Sequence, residues 1–172
     1  TLNAAHIPTL NDVIDELAKH PKKRYRTRKP GDIRQIVVHC SAVDAREPTS
    51  PGGLRDVQAY AEHHVTRLDW PGIGYHYIIA PDGTAYKTQA NTTVSYHASG
   101  ANEKSLGVCA IGHFDNYPVP EKQWEAAVKL VRGLMTAYNI PADKVIGHRE
   151  VPAAKSCPGR KFDMEAFRKE LT

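Results

Sequence analysis

The run Ser105-Leu106-Gly107-Val108-Cys109-Ala110-Ile111-Gly112 offers almost nothing polar to water on either face. A half-buried strand alternates apolar and polar side chains, so a strand of this composition belongs at the centre of a sheet covered on both sides. The neighbouring sequence supplies the rest of the sheet and its cover. Residues 33–39 form a second buried strand. Leu54, Val57, Ala61, Val65 and Leu68 recur at helical spacing, as do Trp124, Ala127, Val128, Val131, Leu134, Met135 and Tyr138. Asn139 and Pro141 stop the second of these helices. Asp163 is placed as the N-cap of a last helix, with Phe162 and Phe167 set for a hydrophobic staple. Pro81-Asp82-Gly83 between two strand-like runs predicts a hairpin. The expected fold class is α/β, a single domain with a mixed central β-sheet flanked by helices. A chain of 172 residues is long enough to bury such a core without disulfide staples.

The first part of the chain reads differently. Thr9-Leu10-Asn11-Asp12 has the form of a capping box, and Leu10, Val13, Ile14 and Leu17 keep helical spacing, so a short helix is expected there. It runs into residues 22–29, where six of eight side chains are basic. The simpler reading of that run is a solvated linker; the other is a grip on phosphates or anionic glycans. Residues 1–31 are therefore taken as an N-terminal helix and basic linker, and 32–172 as the main domain. The net charge of +4 favours anionic surroundings without choosing among them. No nucleic-acid-binding module is recognisable, so nucleic acid is not an expected partner. A monomer is the default expectation.

The three cysteines, Cys40, Cys109 and Cys157, do not make a disulfide framework. Cys40 and Cys109 lie in strand-like runs and read as small buried residues, with a disulfide open to them if their strands are neighbours. Cys157 stands in a loop-prone segment nine residues after His148, and His39 ends the buried strand far upstream. Two imidazoles and a thiolate are good zinc ligands, and three protein ligands leave a fourth position for water, as in hydrolytic sites. The spacing fits no compact zinc finger. Tyr75 at a strand start, His97 and the segment carrying Lys155 belong with the strand ends, where functional residues gather. Lys155 and Cys157 point to the same side of an extended segment, which would place an ammonium near the metal. His97 and, more weakly, Asn102 are candidate substrate contacts. His76 reads as structural, His63, His64 and His113 as surface or packing residues, and Glu150 as a partner of Arg149.

Taken in order, His39-Cys40-Ser41-Ala42, residues 73–79 (Ile-Gly-Tyr-His-Tyr-Ile-Ile), Tyr96-His97-Ala98, Asn102 with residues 105–108, and Gly147-His148-Arg149 with Cys157-Pro158-Gly159 resemble a known family. They are similar to the zinc-dependent N-acetylmuramoyl-L-alanine amidases of the phage T7 lysozyme and peptidoglycan recognition protein group, over residues 33–159. The resemblance implies that amidase-like fold and Zn2+ held by His39, His148 and Cys157. It also implies a tyrosine near the attacking water, at Tyr75, and a lysine near the scissile carbonyl, at Lys155. The implied reaction is hydrolysis of the amide between N-acetylmuramic acid and L-alanine in peptidoglycan. The implied setting is an endolysin made in the cytoplasm and acting at the cell wall, or a secreted autolysin whose leader has been removed. The basic segment would then meet anionic envelope polymers. The alternative is a non-catalytic module that binds peptidoglycan without cutting it.

Overall fold

The computed structural model describes residues 10–43, 53–152 and 156–172. Among these residues the chain forms eight strands and three α-helices: β1 (Leu10–Asp12), β2 (Arg26–Thr27), β3 (Gln35–Cys40), α1 (Leu54–Thr66), β4 (Tyr77–Ile79), β5 (Ala85–Lys87), β6 (Thr93–Val94), β7 (Ser105–Ala110), α2 (Glu121–Tyr138), β8 (Val145–Gly147) and α3 (Met164–Glu170). Six strands make one mixed sheet in the order β1-β5-β4-β7-β3-β8, and β2 pairs antiparallel with β6 beside it. Every residue of β7 is buried, as its composition requires of a central strand. β3 runs parallel to it over six pairs, from Gln35 opposite Ser105 to Cys40 opposite Ala110. β4 and β5 pair antiparallel around the expected hairpin, where Gly83 adopts φ +90° and Asp82 Oδ1 accepts the Thr84 N–H.

Strand periodicity sorts the apolar side chains into two layers. Ile36, Val38, Leu106 and Val108 face α2 and α3, where Leu130, Val131, Leu134 and Phe167 cover them. Burying each of those leucines and valines stabilises the fold by about 1.5–3 kcal/mol. Ile78, Cys109 and Ile111 face Val57 and Ala61 of α1 on the other side. Both helix-end expectations hold. Asn139 closes α2 in the left-handed conformation, and its N–H reaches the Met135 carbonyl. Asp163 caps α3 through the Ala166 N–H at 2.9 Å, while the Phe162 and Phe167 rings meet at 5.5 Å.

The N-terminal segment departs from expectation. Leu10 to Leu17 is no helix but β1, running parallel to β5, followed by a 3-10 turn at Ile14–Glu16. Leu10 packs on the α2 layer whereas Val13 and Leu17 are buried in the α1 layer, so the apolar positions do not share one helix face. A segment this short nucleates a helix poorly, and the open edge of β5 offers ladder partners instead. The basic run is likewise no free linker. Arg26 and Thr27 pair with β6, the Tyr25 hydroxyl donates to the Gly72 carbonyl at 2.7 Å, and the half-buried Arg28 donates to the carbonyls of Asn91 and Asn102 at 2.9 Å. Cys40 and Cys109 do not pair either. Their register sets Cys40 opposite Ala110 and Cys109 opposite His39, one pleat apart, and all three thiols are free.

Candidate metal centre

The parallel pairing of β3 with β8 builds the site. Val38 stands opposite Gly147, so the residues that follow, His39 and His148, emerge side by side at the C-terminal end of the sheet with ring centroids 4.5 Å apart. A 3-10 turn at His148–Glu150 holds the second imidazole, closed by the Glu150 carboxylate, which accepts the Gly147 N–H at 2.6 Å. Glu150 pairs with Arg168 at 3.0 Å rather than with Arg149. Arg149 has a different task. Its backbone N–H donates to the Cys157 carbonyl at 2.6 Å, and its guanidinium donates to the carbonyls of Gly159 and Phe162. Arg149 thus fastens the cysteine loop to the histidine turn. The loop passes through a cis Cys157–Pro158 bond, and Ser156 donates to Asp115 at 2.8 Å.

This arrangement brings the Cys157 sulfur to 3.9 Å from His39 Nδ1, where it accepts the Cys40 N–H at 3.3 Å. Among the described residues, His39, His148 and Cys157 form a cluster whose ligand atoms all lie within 4.8 Å of one another. Tetrahedral zinc with these donors needs ligand atoms roughly 3.3–3.8 Å apart, so a small contraction suffices. The electrostatics suit a cation. Burial, and then the neighbouring imidazoles, hold His39 well below the usual histidine range, and burial lowers His148. Both rings are therefore neutral at neutral pH, with lone pairs to give. With no cation between them, the hydrogen bond that Cys40 and Cys157 share draws the Cys40 thiol down to about 7 and, with burial, holds Cys157 above the ordinary thiol range.

Tyr75 stands beside the cluster, its ring 5.3 Å from His39. Burial, followed by the nearby thiols, raises its phenol well above the ordinary range, so it stays a proton donor. A cleft of about 460 Å³ opens beyond it, lined by Ser41, Val43, Tyr60, His63, His64, Leu68 and Tyr75. Lys155 lies outside the described residues. The structure sets His97 and Asn102 behind the cluster. His97 is 9% exposed and its ring sits behind His39, with Nδ1 3.1 Å from His39 Nε2 and Nε2 3.2 Å from Ser105 Oγ. The Asn102 carboxamide oxygen accepts the N–H groups of His97 and Ala98, which spends it on the turn that carries His97. His76 is structural as expected, accepting the Gly107 N–H at 3.0 Å and facing the Thr93 carbonyl at 2.8 Å.

The sequence profile of the N-acetylmuramoyl-L-alanine amidases matches residues 29–160. This chain belongs to that family. The endolysin of Escherichia phage T7 is 31% identical over 147 residues, covering 84% of this chain and 89% of its own length. Peptidoglycan-recognition protein LB of Drosophila melanogaster is 29% identical over 136 residues, 78% of this chain, which spans 58% of that longer protein. Among solved structures, the N-acetylmuramoyl-L-alanine amidase LysC of Clostridium intestinale URNW superposes with a TM-score of 0.74 at 28% identity, covering 95% of this chain and 97% of its own. The family's α/β architecture is thus the one this chain adopts. Four contributors to the site, Cys40, Ser105, Gly107 and Arg149, escaped the sequence reading as functional residues. Gly107 carried a signal: a glycine inside an otherwise apolar strand marks a close approach. A Cβ there would meet His97 Cγ at 2.7 Å.

Proposed function

We propose that this amidase-family chain is a zinc-dependent peptidoglycan hydrolase that cleaves the amide between N-acetylmuramic acid and L-alanine, acting on the cell wall as an endolysin does. The complete His39, His148 and Cys157 donor set, gathered at one sheet end beside a protonated tyrosine, carries this reading. A module that only binds peptidoglycan has no need of three converging ligands. Zinc held there would lower the pKa of water to about 7 and polarise a carbonyl.

The chain's own groups divide the remaining work. The cleft beyond Tyr75 receives the glycopeptide and sets the lactyl amide against the donor cluster. Tyr75 keeps its proton and donates a hydrogen bond to the developing oxyanion, and the Lys155 ammonium, carried over from the family resemblance, supplies positive charge there. His39 and His148, held neutral, keep their lone pairs for the metal across the physiological range. Synthesis in the cytoplasm with action at the wall fits the endolysin relatives. Anionic wall polymers would meet the groove of about 680 Å³ lined by Arg26, Arg28, Arg34 and Lys104.

The test pairs elemental analysis of protein purified without added metal with mass spectrometry of digested muropeptides. One zinc per chain together with peptides bearing a free L-alanine amino terminus is the expected result. Zinc without cleavage would replace the hydrolase by a binding module, and neither zinc nor cleavage would overturn the reading altogether.

A further inference from the structure

His39 can serve a metal through Nδ1 only if that nitrogen carries no proton, and the buried groups behind the ring decide where the proton goes. Their hydrogen bonds have one consistent direction. Ser105 Oγ lies 2.6 Å from the Ala101 carbonyl oxygen, which can only accept, so the single hydroxyl proton is committed there. Toward His97 Nε2, 3.2 Å away, the same oxygen can then only accept, and that nitrogen carries a hydrogen. A neutral His97 protonated at Nε2 presents a bare Nδ1 to His39 Nε2 at 3.1 Å, so His39 is the donor across that contact. His39 is left with Nδ1 unprotonated on the side of the Cys157 sulfur.

We propose that Ala101, Ser105 and His97 form a positioning chain that locks His39 in its Nε2–H tautomer and aims a bare Nδ1 at the metal. The proposal rests on the zinc reading above. All three are buried, and Gly107 makes room for the His97 ring, which a Cβ at that position would meet at 2.7–2.8 Å. The carboxamide of Asn102 sets the turn, and so the height of the ring, through the His97 and Ala98 N–H groups. Partners of this kind fix the orientation and basicity of a metal-bound imidazole.

Two measurements on the whole chain test it. Long-range proton–nitrogen spectra of the metal-free protein should show both His39 and His97 protonated at Nε2; a His39 protonated at Nδ1 overturns the proposal. Zinc affinity, read by competition with a chromogenic chelator, should fall roughly 10–100-fold in His97→Leu and in Ser105→Ala. His97→Asn, whose amide oxygen can take the place of Nδ1, should recover most of the His97→Leu loss, which a purely space-filling role for His97 would not produce. Zinc binding within twofold of the parent in both His97→Leu and Ser105→Ala overturns the chain. If His97→Leu does not fold, the parent's tautomers and Ser105→Ala decide. A parent that binds no zinc would sink the metal reading, while the His39 tautomer in the same sample would still decide the chain.

Discussion

At the C-terminal end of β3, His39 is 2% exposed and meets His148, Cys157, Tyr75 and His97, all neutral or sharing protons. At the N-terminal ends of β3 and β7, Arg34 and Lys104 line an open groove with Arg26, Arg28, Asp32 and Glu103. One sheet thus carries two polar regions with opposite physics. At the first, desolvation strips charge from imidazoles and leaves lone pairs that a cation can take. At the second, most charges stay in water and find partners: Arg26 meets Glu103 at 2.6 Å, while the half-buried Arg28 meets backbone carbonyls. Removing a group from the first end should therefore be costly and specific. Removing one from the second should be costly only where the group is buried.

The largest effect is expected from Cys157→Ser, which withdraws one of three ligands: zinc should be absent by elemental analysis and cleavage should fall to background. An active, zinc-free Cys157→Ser protein would erase the distinction between the two ends. Next comes Tyr75→Phe. Loss of one donor to a developing oxyanion should lower kcat by about 10²-fold with zinc content unchanged. A proportional loss of zinc would instead make Tyr75 part of the scaffold of the site.

The contrast also explains how much could be read without coordinates. The buried strands, the α2 and α3 ends and the hairpin were legible because each depends on local chemistry: apolar runs, an Asn at a left-handed position, an Asp three residues before a free N–H. His39, His148 and Cys157 were legible because metal ligands are recognisable by type and order. The groups that set their geometry were not. His97 reads as exposed because it stands in a turn with serine and glycine, and only the packing of its ring on Gly107 shows that it is buried. Arg149 could be seen beside His148, but its role depends on carbonyls 10 and 13 residues away. The segment 10–17 misled for a related reason. Its helical spacing was real, yet the free edge of β5 lies 75 residues downstream and outweighed weak local propensity.

At the level of stability, Arg28→Ala is the sharpest probe of the second end. It leaves the carbonyls of Asn91 and Asn102 without their donor in a half-buried place, and should cost about 2–3 kcal/mol in denaturant unfolding. A change too small to measure would mean that water replaces the guanidinium. A comparable loss is expected as pH falls from His76, which lies in the sheet interior between the two ends, beside Arg28 and the Thr93 carbonyl. Burial pushes His76 down to about 3, so between its ordinary pKa near 6.5 and that value the unfolded chain takes a proton that the folded chain refuses. The stabilisation is therefore full above about pH 6.5 and declines by about 1.4 kcal/mol per pH unit below it. Unfolding of the metal-free protein at pH 7 and pH 5 should show that decline, and His76→Gln should flatten it by about one proton. An unchanged slope in the variant would remove His76 from the account.

The smallest effect is expected at Arg26. Its bond to Glu103 is short, but both side chains are 73% exposed, and an ion pair in that setting gains little over its two hydrated halves. Arg26→Ala should leave the thermal midpoint unchanged within error, and so should zinc content and cleavage of soluble muropeptide. Whole-wall binding is where the residue should register. If the groove holds anionic wall polymer, Arg26→Ala combined with Lys104→Ala should weaken sedimentation with purified walls at low salt, and the difference from the parent should vanish as salt screens the remaining charges. Equal sedimentation at every salt concentration would leave the groove without that partner. A drop that persists at high salt would point instead to the exposed Tyr96 ring in the same groove, whose contact with a sugar face owes little to charge.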